Sequence, residues 1–517
     1  PTNTAPDAPP VLDAIGLSLV GYDALALGNH DFDFGPQFTA RFVDSFDPAV
    51  PFLSANLDVS GVPELQALAD AEPPQVAPSV TVDAGGTPVG IIGLTTPFLR
   101  SISSPGDVIV GQDVVAAVQA EVDAMTAEGT EHIILISHLQ GLSEDIDLVG
   151  AISGVDAVVA GGGDEVLADP ADPLVPGDLA NVADSYPIEL TDADGETVPT
   201  VTTAGDYKYL GRLTLYFGED GELLAETPFD EGTSRMVRLA DESLPFGVAR
   251  NATVVEEVEG PVRDFIADLE TEVIATSEVD LDGSRPPIRG QETNLGNLVA
   301  DAHAYIAETR GGDFGLDTTA EIVGLQNGGG IRNNSVIPAG DITELTTFEI
   351  LPFANFVAAV EDFTADQLKD VLEQAYADVS GGNGAFLHVS NLVIEIDASQ
   401  TAQEIEVDDE GQVTITTPGE RVRSVTFADG TPLIQDGEVV EAAPTFTVAS
   451  IDFSLRNGDG YPFNLGEDGF TVLGTSYQQA LSSYIQAEAG LDGVISATDY
   501  PEGGEGRITI TNNTDGE

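Results

Sequence analysis

The chain has no cysteine and no tryptophan, two methionines, and only two lysines, Lys208 and Lys369, among its 517 residues. Without cysteine there is no disulfide staple, no thiolate nucleophile and no Cys-ligated zinc or iron–sulfur centre, so any metal must sit on His, Asn, Asp or Glu. Histidine is scarce as well, being confined to His30, His132, His138, His303 and His388. No apolar run approaches the roughly 18 residues of a membrane span. No charged-then-apolar signal segment opens the chain, which starts at Pro1 and not at Met, so further sequence upstream is expected.

Positive charge is the largest deficit. Lys and Arg number 17 against 89 Asp and Glu, a formal net charge of -72. Such a surface repels nucleic acid, which is excluded as a partner. The 42% of hydrophobic residues and the long periodic apolar segments nevertheless allow real cores, so the charge belongs to a folded surface and not to a disordered chain. That surface repels itself until salt screens it, and near 1 M salt the screening length is about 3 Å. A halophilic source follows, with an acidic secreted protein from ordinary water as the alternative.

The length predicts roughly two to four domains. Residues 1–245 alternate short apolar runs with helical stretches. Val89 to Leu94, His132 to Ser137 and Val155 to Ala160 read as central strands of an α/β layered domain. Asp113 as N-cap, Val114, Val115, Val118 and Val122 at helical spacing and Gly129 past the end predict a helix between the first two. A Gly-, Pro- and acid-rich stretch, Gly218 to Asn251, precedes an amphipathic helix over Val254 to Ala275, so 246–275 reads as boundary and linker. Residues 276–517 form a second mixed α/β domain, with a helix over Asn294 to Glu308 and strands over Glu321 to Gln326 and Phe356 to Val360. Thr364 and Gln367 make a capping box opening the helix Ala365 to Tyr376.

The segment GNHDFDFGP places Asn29, His30 and Asp33 after a strand-like run, Tyr22 to Leu27, where open α/β sheets put their sites. An Asn carbonyl can ligate a divalent metal, the adjacent His can protonate a leaving oxygen, and Asp33 can hold the imidazole. LISHLQG adds Ser137 and His138 at a strand end. His132 begins a buried strand, His303 lies mid-helix and His388 in FLHVS, and all three read as scaffold.

GNHDFD, followed by FLSANLD and VGIIGLTTP, resembles the GNHEFD signature of 5'-nucleotidase-type calcineurin-like metallophosphoesterases. The resemblance implies two divalent metals, with Zn, Mn, Mg and Ca indistinguishable. It also implies Asn29 and His138 as ligands and His30, oriented by Asp33, stabilising the transition state or leaving group. Two features depart from the family. Gly162 and Asp164 stand where a GHxH motif is expected, so Asp164, helped by Glu165, either replaces a ligand or belongs to a Gly-rich turn. No DxH pair or metal-bridging GD motif precedes Asn29, Asp7 and Asp13 lying in other contexts. The chain is therefore either an N-terminally incomplete enzyme or a degenerate relative. The fold implied is a metallophosphoesterase β-sandwich flanked by helices, lacking its first strand or strands, joined to a nucleotide-binding α/β domain that rotates between loading and chemistry.

The second half carries the substrate motifs. IRGQETNLGNLVADA presents Arg289 ahead of a helix, and QNGGGIR places Asn327 and Arg332 around three glycines, which allow close backbone approach while Arg332 offers a planar fork to oxyanions. By resemblance Arg289, Asn327 and Arg332 contact a nucleotide. The resemblance also implies that Phe353 in ILPFANFV and Phe453 in DFSLRNGDGYPF clamp the base while Asp459 holds the ribose. Arg456 and Asn457 lie between without an assigned role. The implied activity is hydrolysis of nucleoside 5'-monophosphates or related nucleotides by an exported, periplasmic or cell-surface protein. A non-catalytic nucleotide-binding protein and a phosphoesterase for cyclic nucleotides or nucleotide sugars are the alternatives.

The charge balance makes one prediction independent of any motif. Thermal unfolding should shift upward between low and molar salt, and a melting temperature that stays level or falls would rule out the halophilic reading.

Overall fold

A computed structural model describes residues 11–512 except 47–48, 171, 204, 206, 219–220, 222, 225–233, 241–243, 245–246, 381, 409–410 and 467–468, and not the side chains of Ser101 and Ala180. Asp7 and much of the expected boundary stretch, Gly218 to Asn251, lie outside the described residues. The chain divides between Pro261 and Val262 into two compact units.

In the N-terminal unit a six-stranded sheet runs in the order Ile188–Thr191, Thr197–Val201, Ala157–Gly161, His132–His138, Pro88–Thr95, Ser79–Asp83. Its four middle strands are parallel and each edge strand is antiparallel to its neighbour. Strand residues alternate between faces. Ile133 and Leu135 therefore share one face, buried with Val118, Val122 and Met125 of the helix Val114–Glu128, while His132, Ile134, Ile136 and His138 lie on the other. That helix has the ends its sequence specifies. The Asp113 carboxylate accepts the Ala116 N–H, and Gly129 terminates it in the left-handed conformation.

A second, three-stranded parallel sheet joins Leu25–Ala26, Phe52–Leu53 and Val76–Ala77. The expected strand Tyr22 to Leu27 is thus only two residues long. The two sheets meet at Gly93, whose carbonyl accepts the Ala55 N–H at 2.8 Å. A Cβ there would fall 2.2 Å from the Leu53 carbonyl oxygen.

The expected helix from Val254 to Ala275 begins at Ala252, passes through a π-helical turn over Val255–Glu259 and ends at Thr271. Residues Val273–Ser277 are instead a strand, paired antiparallel with Gly340–Thr343. The β-branched residues of VIATS fit a half-buried strand better than a helix end.

The C-terminal unit holds two five-stranded sheets. One runs Leu387–Ser390, Ile322–Asn327, Phe446–Ile451, Phe356–Phe363, Thr471–Ser476, with the helix Asn294–Arg310 packed on it. The other runs Glu438–Val439, Pro432–Gln435, Val422–Phe427, Leu392–Asp397, Ile508–Thr511. The helix Ala365–Ala375 opens with the expected reciprocal capping box of Thr364 and Gln367. Both units are mixed α/β, as the periodicity predicts.

Two glycines separate crowding from backbone strain. Gly93→Ala must push on backbone at the sheet junction and should cost about 3 kcal/mol. Gly129→Ala meets nothing within 4 Å but keeps φ at 92°, and should cost about 1–2 kcal/mol. Urea unfolding midpoints of the two variants against the parent check the order.

Candidate active site

In the N-terminal unit the parallel register sets Thr95, His138 and Gly161 abreast at the ends of three neighbouring strands. Thr95 Oγ1 donates to the Leu27 carbonyl at 2.7 Å, and the Thr95 backbone exchanges hydrogen bonds with the Asn56 side chain at 2.8 and 3.0 Å. The buried polar residues of FLSANLD and GLTTP thereby fix the chain just before Asn29.

His138 Nε2–H donates to Asn29 Oδ1 at 3.1 Å, which brings two predicted metal ligands into contact across 109 residues. Gln140, a residue that sequence reasoning passed over, also reaches Asn29 Oδ1, at 3.5 Å. The His138 ring lies against Gly28 and Gly162, where a Cβ would fall 2.6 Å and 3.0 Å from ring carbons. Burial, with the nearby His30 second, presses the His138 pKa down to about 4, so its imidazole is neutral at neutral pH.

His30 has a side chain that is 55% exposed and donates from Nδ1 to Asp33 Oδ2 at 2.7 Å. Ser103 Oγ donates to the other Asp33 oxygen at 2.9 Å. The His30–Asp33 hydrogen bond joins the two residues that the motif sets three positions apart. Asp31, between them in sequence, is half-buried, accepts the Gly28 N–H at 2.7 Å, and has its pKa pushed up to about 6, chiefly by desolvation.

The region after the next strand departs from a ligand loop. Gly162 has φ of 96°, and a Cβ there would lie 2.0 Å from the Leu139 carbonyl oxygen, so no side chain fits in this conformation. Asp164 is exposed. Glu165 Oε1 accepts the Leu142 N–H at 3.3 Å, at the start of the helix Leu142–Val149. Among the described residues no three His, Asp or Glu groups converge as a metal site. Asn29 and His138 offer one edge of a coordination shell, and His138 would have to move its proton to Nδ1 to ligate through Nε2. That donor set does not fit a two-ion centre.

In the C-terminal unit strand direction assembles the site. Ile322–Asn327 and Phe446–Ile451 are parallel neighbours, so Asn327 and the Asp452–Gly460 loop leave the sheet at the same edge. Antiparallel pairing brings the start of Phe356–Phe363, hence Phe353, and the start of Leu387–Ser390, hence Gly384, to that edge too. Asn327 Nδ2 donates to Asp459 Oδ2 at 2.6 Å, and the Arg332 guanidinium lies 5.1 Å from the Phe353 ring centroid. Desolvation raises the Asp459 pKa, opposed by the Asn327 hydrogen bond and by the charges of Arg289 and Arg332. Phe353 and Phe453 are both partly buried against the same apolar cluster. Arg289, Asn327, Arg332, Phe353, Phe453 and Asp459 thus hang from one sheet edge.

Close approach explains the glycines of QNGGGIR. A Cβ on Gly328 would fall 2.2 Å from the Ile288 carbonyl oxygen, and one on Gly329 would fall 3.1 Å from Gly384 Cα. Asn457 and Asp459 take φ of 69° and 56°, a left-handed conformation that Asn and Asp tolerate best after glycine. Of the two residues without an assigned role, Asn457 is scaffold, since its amide donates to the Gly411 carbonyl at 2.9 Å and accepts the Asn464 N–H at 2.7 Å. Arg456 pairs with Asp452 at 2.5 Å.

Known proteins resemble this chain over most of its length. The family profile described as 5'-nucleotidase, C-terminal domain, matches residues 273–465. The trifunctional nucleotide phosphoesterase protein YfkN of Bacillus subtilis is 28% identical over 477 residues, covering 86% of this chain but only 28% of that protein. The snake venom 5'-nucleotidase of Gloydius brevicauda is 26% identical over 485 residues, 91% of this chain and 73% of the relative. The crystal structure of a 5'-nucleotidase precursor from Thermus thermophilus superposes with a TM-score of 0.73 at 29% identity, over 97% of this chain and 86% of that one. Residues 273–465 thus carry the 5'-nucleotidase C-terminal domain, and the relatives, which are 5'-nucleotidases and nucleotide phosphoesterases, support a phosphoric ester hydrolase of the 5'-nucleotidase type.

Proposed function

We propose that the chain binds nucleoside 5'-monophosphates or closely related nucleotides through its C-terminal unit and serves their hydrolysis to nucleoside and phosphate. The observation that carries this reading is the gathering of Arg289, Asn327, Arg332, Phe353, Phe453 and Asp459 at one sheet edge. Two guanidiniums in a chain with 17 basic residues are an unusual choice for a loop unless an anion or oxygen-rich ligand is held there. The aromatic rings offer faces to a base, and the Asp459 carboxylate, already accepting from Asn327, can accept a ribose hydroxyl as well.

In the N-terminal unit the chain's own residues supply proton handling. With Nδ1–H committed to Asp33, His30 uses Nε2 toward the substrate. The Asp33 carboxylate stabilises the imidazolium that donates a proton to the leaving 5'-oxygen as the phosphorus–oxygen bond breaks. A metallophosphoesterase needs divalent metal, and Asn29 with a neutral His138 supplies one edge for one ion, so no step is assigned to a metal here. The smallness of that donor set favours a second reading, a nucleotide-binding protein without hydrolysis. Export is consistent with the venom 5'-nucleotidase among its relatives.

With the complete gene product in molar salt and divalent metal, AMP should be hydrolysed, and AMP bound without phosphate release would select the non-catalytic reading. A panel of monophosphates, cyclic nucleotides and nucleotide sugars separates the substrate classes. His30→Ala should lower turnover about 10²–10⁴-fold with AMP affinity within about twofold of the parent; unchanged turnover removes His30 from the mechanism. Arg332→Ala should weaken AMP binding roughly 10- to 100-fold, and Arg332→Lys should recover little of it because the planar fork is lost. Calorimetric titration with AMP reads both.

A further inference from the structure

His303 sits in the middle of the helix Asn294–Arg310 and Gln326 is the penultimate residue of a central strand, and both are fully buried. Neither can touch a ligand. Yet they continue a line of hydrogen bonds that ends at Asp459: His303 Nε2 to Gln326 Oε1 at 2.7 Å, Gln326 Nε2 to Asn327 Oδ1 at 2.8 Å, and Asn327 Nδ2 to Asp459 Oδ2 at 2.6 Å. Gln326 Nε2 also donates to the Asn327 carbonyl, at 2.8 Å.

The direction of such a line is not arbitrary. A carboxylate only accepts, so Asn327 must turn its NH₂ to Asp459 and its carbonyl oxygen to Gln326. Gln326 must then offer NH₂ to Asn327 and its own oxygen to His303, which leaves His303 as the Nε2–H tautomer. The other end agrees, because His303 Nδ1 has no hydrogen-bond partner among the described residues, and an unpartnered lone pair is tolerated inside a protein better than an orphaned N–H. Burial also keeps this imidazole neutral, with its pKa pressed down to about 4. The Asn327 backbone carbonyl, which can only accept, holds Gln326 in the same facing, because a reversed Gln326 would set its own oxygen against it and leave the His303 proton on Nδ1. Desolvation raises the Asp459 pKa, while the Asn327 hydrogen bond and the charges of Arg289 and Arg332 act toward the ionised form.

We infer that His303 and Gln326 are positioning residues for the ligand site: together they fix the facing of the Asn327 amide, so that Asp459 meets the ligand as an oriented hydrogen-bond acceptor. The inference rests on the nucleotide reading for the identity of the ligand, but the direction of the line is a property of the unliganded protein.

Two measurements on the complete protein test it. The first needs no ligand. In ¹⁵N-histidine-labelled protein at neutral pH, His303, assigned by its absence from His303→Gln, should show a pyrrole-like Nε2 and a pyridine-like Nδ1. The opposite tautomer would overturn the inference. The second uses AMP. His303→Leu should raise its dissociation constant and KM about tenfold with kcat within about twofold. His303→Gln, whose amide can still donate from near the Nε2 position, should return affinity to within about threefold of the parent. Parent-like affinity in His303→Leu, or equal losses in both variants, would overturn the positioning role. Failure of the parent itself to bind AMP would instead defeat the nucleotide reading, while the tautomer still decides the direction of the line.

Discussion

The 2.6 Å hydrogen bond from Asn327 to Asp459 closes a loop of 132 residues. It can form because Ile322–Asn327 and Phe446–Ile451 run parallel as nearest neighbours and release their following loops on the same side. A parallel pair needs a long crossover between its strands, and here the intervening chain supplies both antiparallel neighbours, which bring Phe353 and Gly384 back to the same edge. Were either antiparallel strand parallel instead, its preceding segment would start from the opposite end of the sheet. Strand direction therefore does for the C-terminal site what no single motif could do.

The same principle works with fewer parts in the N-terminal unit. Three parallel strands end at Thr95, His138 and Gly161, and hydrogen bonds from Thr95, together with Ser54 and Asn56, tie down the chain entering Asn29. Those groups are buried, so each unmade bond would leave a polar atom without water. Rigidity upstream is what lets a short 3₁₀ turn, His30–Phe32, hold His30 on Asp33.

Much of this was legible in the sequence because the signals were local. Asp113 and Gly129 mark a helix, Thr364 and Gln367 mark another, and GNHDFD carries its pairing within four residues. What stayed illegible was set by distant partners. Nothing near Gln140 announces that it reaches Asn29, and nothing near Asn457 announces that Gly411 and Asn464 consume its amide. The linker helix was overrun at its C-terminal end because VIATS finds a strand partner at Gly340–Thr343, a contact no helical periodicity reports. His303 and His388 read correctly as scaffold, but only coordinates show what they brace: His388 Nε2 donates at 2.9 Å to the carbonyl of Ile288, the residue before Arg289.

The distribution of the few cations completes the physical picture. Arg507 pairs bidentately with Asp301 at 2.7 and 2.8 Å and donates to the Val389 carbonyl, while Tyr500 also donates to Asp301. Arg421 donates to the carbonyls of Tyr376 and Ala377, Arg100 to that of Val108, and Arg238 to that of Leu174. Half-buried guanidiniums held by carbonyl oxygens and a paired carboxylate are screened little by added salt, whereas the repulsion among exposed carboxylates is screened strongly. Salt thus acts on the surface and leaves these interior ties nearly as they are. With so few basic residues, placing them where geometry is fixed leaves solubility to the acids, and two of the remainder, Arg289 and Arg332, stand at the sheet edge that also gathers Asn327 and Asp459.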